Sequence, residues 1–120
     1  MQNITTGTVV TLDSSVFGNK SKTVAVYITG EYDQFYSVDL IGFEIETKSI
    51  PFYRGAFDGY KTSFKIDGLT YRAIPVRHTL TKFDVEKGIA KIKAVNKMTY
   101  DDFVEDRIKE KITEVTTLSI

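Results

Sequence analysis

Helical periodicity is confined to one end of this chain. Tyr100, Phe103, Val104, Ile108, Ile112 and Val115 recur at the spacing of one helix face, about four turns long. Thr99 precedes the stripe as an N-cap, and Asp101 and Asp102 stand in the first turn, where the helix dipole favours acids. Arg107, Lys109 and Lys111 crowd the far end. The pattern predicts a helix over 99–114. Upstream, short β-branched and aromatic runs are separated by turn formers, which commits the chain to a sheet covered by one terminal helix.

The strand signals follow in order. Gly7 to Leu12, "GTVVTL", is short and β-branched, and Thr23 to Thr29, "TVAVYIT", is the most strand-like run. A long polar connection, "DSSVFGNKSK", joins them. Phe35 to Ile45 reads as a strand or a bent pair, with Gly42 as a candidate bulge or corner. "ETKSIPFYRGAFDGYKT" reads as an excursion between strands. "SFKID" then turns at Asp67-Gly68 into "LTYRAIPV", and the Asp-Gly pair is a hairpin signal. Pro75 lacks a ladder donor, so it implies an edge position or a bulge. The run from Gly68 to Ile92 reads as sheet wall, and "TTLSI" as a last strand or a frayed tail. Five to seven strands and one helix describe a mainly β chain, a small antiparallel β-barrel over 4–95 with a C-terminal α-helix packed against it. The 120 residues fit one domain, 1–120, without an internal repeat or linker.

Composition narrows the chemistry. With no cysteine there is no disulfide framework, thiol catalysis or cysteine zinc site, and a reducing, cytoplasmic setting is the expectation. The start "MQNITTGTVV" reads as no signal peptide, and no apolar run is long enough to span a membrane. One histidine, His78, cannot make a two-histidine metal centre, so no metal and no cofactor is expected. The P-loop, the dinucleotide fingerprint and the hydrolase elbow are all missing.

Sixteen basic and sixteen acidic residues cancel, which argues against bulk coating of nucleic acid. The charge is nevertheless uneven. Between positions 48 and 82, Lys48, Arg54, Lys61, Lys65, Arg72, Arg77 and Lys82 face only Asp58 and Asp67, a surplus of five. Such a stretch suits a solvated sheet face or a phosphate-binding one. Tyr53, Arg54, Phe57 and Tyr60 mix aromatic and basic side chains in a manner that stacks bases and holds phosphates, although loop residues folded over a core have the same composition. Glu44 and Glu46 share a strand face, for which solvent exposure is a plainer account than paired-carboxylate catalysis. Arg72 and Arg77 are an odd number apart, so they leave opposite faces of a regular strand unless Pro75 introduces a bulge.

The order of these pieces resembles the MazF/PemK family of toxin ribonucleases. "TGTVV" is similar to the family's opening "G-D-v" strand, and "SKTVAVYI" to its "R-P-v-l-v-I" segment. "FKIDGLTYRAIPVRHTLTKFDVEKGIAKI" resembles its run of strand, short turn, strand ending in a polar "q-I-r-t-I" segment, and closing strand. "MTYDDFVEDRIKEKI" looks like its terminal helix. The resemblance implies a small barrel of the Src-homology or MazF-like type, and an endoribonuclease that cuts single-stranded RNA without metal, a ribose hydroxyl attacking the adjacent phosphate.

It also implies site residues. Lys22 and Thr23 stand where the family has Arg-Pro, and Thr47 in "IETKS" is the nearest match to its catalytic hydroxyl, so Lys22 and Thr47 are the expected catalytic pair. Lysine neutralises a phosphate without the planar fork of arginine. Lys20, Tyr53, Arg54, Arg77 and His78 are the expected RNA contacts. A homodimer and an antitoxin or other protein partner follow from the same likeness. The alternative is a non-enzymatic small barrel that binds protein, such as a phage or mobile-element accessory protein. Gyrase poisoning, as in the related CcdB branch, fits least, because the chain ends "TTLSI" and contains no tryptophan.

Overall fold

The computed structural model describes residues 4–13, 23–46 and 63–118. In chain order the elements are β1 (Thr8–Asp13), β2 (Thr23–Glu31), β3 (Phe35–Glu46), β4 (Ser63–Ile66), β5 (Leu69–Thr81), α1 (Lys82–Glu86), β6 (Ile92–Lys97) and α2 (Tyr100–Leu118). The strands form one antiparallel sheet in the order β4-β5-β3-β2-β1-β6. The chain is therefore mainly β with a C-terminal helix. Among the described residues the sheet is open rather than closed into a barrel, with β4 and β6 at its edges.

By internal packing the chain divides into two compact units, Met1–Leu40 with Arg77–Phe103, and Ile41–Val76 with Val104–Ile120. In the first, even-numbered residues of β1, β2, β3 and β5 point to one side, where Val10, Leu12, Val26, Ile28, Val38 and Leu80 are buried with Ile4 and Ala90. Val85 of α1 packs against this cluster. The opposite side of β2 meets the start of α2. There the Tyr27 ring lies 5.0 Å from Tyr100, edge to face, and 5.6 Å from Phe103, which is buried. In the second unit, Phe64 stacks on its cross-strand partner Tyr71 and meets Phe43 edge to face. Arg72 pairs with Glu44 at 2.9 Å, and Lys111 of α2 sits 5.6 Å over the Phe43 ring.

Local chemistry explains the boundaries. Asp67 and Gly68 both adopt positive φ, 51° and 82°, which is the backbone of a two-residue hairpin whose twist matches its strands. β3 runs unbroken through Gly42, so the bent-pair alternative is not realised. β5 likewise continues through Pro75, which lies beyond the last described β4 pairing, Ser63↔Arg72, and so interrupts none of it. The run after Thr81 departs from the expected wall. It forms α1, with the Thr81 hydroxyl accepting from the Asp84 N–H at 3.1 Å and Gly88 following at φ 75°. At α2 the Thr99 hydroxyl accepts from Asp102 N–H, as its N-cap role predicts. The helix runs past 114 to Leu118, so the "TTL" of the last segment is helical rather than strand or tail.

Candidate functional site

β2 and β3 build the site from a two-residue hairpin and a bulge. Tyr27 faces Asp39 and Ile28 faces Val38, after which the register shifts so that Gly30 faces Ser37 and Glu31 faces Tyr36. The extra residue, Thr29, donates its hydroxyl hydrogen to Ser37. Bulges turn side chains that a regular ladder would send elsewhere. The strands close at Tyr32 and Phe35, where the Tyr32 N–H donates to Phe35 O at 2.9 Å and the two rings stack at 4.9 Å and 24°. The Tyr32 ring lies over Gly30, and a Cβ there would stand 3.0 Å from its Cε2. Glycine is what lets the ring lie down.

Asp39 is the only buried acidic or basic residue among those described. A buried carboxylate needs donors, and each oxygen has one. Arg77 Nε donates to Oδ1 at 3.0 Å, and the Tyr100 hydroxyl donates to Oδ2 at 2.9 Å. The carboxylate is enclosed, but the Arg77 side chain remains 67% exposed. Asp39 thus fixes the cation by its Nε edge and leaves the guanidinium facing solvent. The hydrogen bond to Asp39, and then the charge of that carboxylate, raise the Arg77 pKa, with weaker support from the phenols of Tyr100 and Tyr32 against a desolvation effect. Arg77 is a cation at every working pH.

The hairpin tip is tied to the segment that follows Arg77. Lys82 N–H donates to Gln34 O at 2.9 Å, and Lys82 Nζ reaches Glu31 at 3.3 Å while lying 5.3 Å over the Tyr36 ring. Tyr32, Phe35, Asp39, Arg77 and Tyr100 therefore belong to one braced arrangement within a single unit.

Of the residues expected from the sequence, Lys20, Lys22, Thr47, Tyr53 and Arg54 lie outside the described residues. Arg77 is placed as above. His78 is half-buried and, as its sequence neighbour on a regular strand, leaves the other face of β5. Arg72 pairs with Glu44 in the second unit and Arg77 with Asp39 in the first. Glu44, considered as half of a carboxylate pair, is committed to Arg72. Asp39 and Tyr32 were not singled out in the sequence. Among the described residues no group of His, Cys, Asp or Glu is arranged to hold a metal ion, and no helix is long and apolar enough to cross a membrane. No family model, curated protein or solved structure matches the chain.

Proposed function

We propose that this chain is a MazF-like cytoplasmic toxin, an endoribonuclease that cleaves single-stranded RNA without metal, working as a homodimer restrained by an antitoxin. The observation that carries this reading is Arg77, a permanent cation held rigidly by a buried carboxylate and presented to solvent, as a phosphate contact requires. The element order is compatible with this reading, since β4, a tight turn, β5, β6 and a terminal helix follow in the order of the resemblance, with α1 inserted between β5 and β6. A small barrel of the MazF-like type belongs to the same proposal.

In this mechanism Lys22 neutralises the scissile phosphate or passes a proton, and Thr47 positions it while the ribose hydroxyl attacks. Lys20, Tyr53, Arg54 and Arg77 hold the strand. The test compares wild-type protein with Lys22→Ala and Thr47→Ala on a long unstructured RNA in EDTA. Cleavage by wild type that both substitutions abolish supports the assignment, whereas unchanged turnover in Lys22→Ala removes that residue from the site.

A protein-binding module without catalysis is the second reading. Ile45, Leu69, Val76 and Ile112, all in the second unit, are large apolar side chains between 38% and 44% exposed, apolar surface that a protein partner would remove from water. Intact RNA at protein concentrations comparable to substrate favours this alternative.

A further inference from the structure

We infer that the β2–β3 hairpin tip and Arg77 form a nucleotide subsite, in which a base stacks on the exposed Tyr32 ring and the adjoining phosphate is held by the Arg77 guanidinium. The inference rests on the RNA reading for its ligand and adds a binding element that lies apart from Lys22 and Thr47 in sequence. Tyr32 is 55% exposed, so much of its ring is open to a stacking partner. Phe35 stacks against it, and Gly30 gives it room to lie along the strand, so the ring is held rather than loose. A ring fixed in advance loses little freedom when a base stacks on it.

Ring and cation are anchored at neighbouring positions on one face of the sheet. The Tyr32 ring covers Gly30, whose partner on β3 is Ser37, and Asp39, the anchor of Arg77, stands two residues further on. Two residues of strand separate the backbones of Ser37 and Asp39 by about 7 Å. Thr29 and Ser37 lie between, hydrogen-bonded to each other. Between ring and cation Ile28 and Val38 turn into the core, so this face of β2 and β3 offers the Thr29 and Ser37 hydroxyls and a glycine, which suits a sugar–phosphate better than an apolar protein anchor. Arginine supplies the charge that phosphate requires.

The test uses a fluorescein-labelled 2′-O-methyl oligouridine of about ten nucleotides, which lacks the attacking hydroxyl, so binding is read without cleavage. Anisotropy titrations on the full chain compare wild type, Tyr32→Ala, Tyr32→Phe and Arg77→Gln. Tyr32→Ala is expected to weaken binding about tenfold or more, and Tyr32→Phe to stay within about twofold, because stacking needs the ring and not the hydroxyl. Arg77→Gln is expected to weaken binding and to flatten the slope of log affinity against log salt by about 0.7, the contribution of one phosphate contact on a single strand. Glutamine retains a donor for Asp39, and Tyr32 is at an exposed turn, so the folded state survives both changes. Wild-type affinity in Tyr32→Ala, or no binding by wild type, overturns the subsite. Cleavage of ordinary RNA with unaltered binding by Tyr32→Ala sinks the subsite and leaves the nuclease standing. Ring-dependent binding without cleavage does the reverse.

Discussion

Asp39 decides how Arg77 behaves. An exposed arginine paired on the surface samples many rotamers and gains little from its partner. Here the partner is enclosed and bonded from a second side by Tyr100, so the guanidinium has a fixed edge. Tyr100→Phe keeps the ring against Tyr27 and deletes only the hydroxyl. It should lower stability to urea by about 1–3 kcal/mol, the usual cost of removing a hydrogen bond to a charged group. An unchanged unfolding midpoint shows that Asp39 does not depend on Tyr100. Alternation in "SVDL" puts Asp39 on the side opposite Val38 and Leu40, which reads as the solvent side. It is buried because the first turn of α2, some sixty residues later in the chain, comes to rest there. No local pattern announces such a contact. The position of Tyr32 was equally hidden, since it depends on a bulge that alternation does not reveal.

At the scale of elements, termini rather than periodicity decide what forms. α1 is only five residues long, too short to show an apolar face, yet its caps are legible in "TKFD" and in Gly88. Reading the run as alternating strand passed over those signals. α2 carries both kinds of information, and its start at Thr99 was readable. Its end was not, because the basic residues at 107–111 suggest a last turn while the chain continues to Leu118. Thr99→Ala should cost about 0.5–2 kcal/mol, seen as a lower unfolding midpoint, and Phe103→Ala about 3–5 kcal/mol for a ring that is 1% exposed. Gly68 tests the hairpin separately. A methyl group there meets nothing within 4 Å, so the loss in Gly68→Ala, about 1–2 kcal/mol, comes from the left-handed backbone alone. Thermal melts that rank Phe103→Ala well below the other two would bear this out, and equal losses would contradict it.

For the whole molecule, turn residues and period-two runs were sufficient to read a mainly β chain ending in a helix. They did not determine whether the sheet closes, because closure depends on which distant strands meet. The open order β4-β5-β3-β2-β1-β6 is a property of long-range pairing. The expected catalytic residues Lys22 and Thr47 lie outside the described residues, so under the proposed function the described structure speaks to Arg77 and Tyr32 rather than to the chemical step. The proposed function requires that this chain cut RNA by internal attack of a ribose hydroxyl. The direct test is to incubate the wild-type protein with a long single-stranded RNA in EDTA and analyse the product ends by mass spectrometry. Internal attack leaves fragments ending in 2′,3′-cyclic phosphate with 5′-hydroxyl partners, and these are the expected products. Intact RNA at equimolar protein, or fragments ending in 3′-hydroxyl and 5′-phosphate, would contradict it.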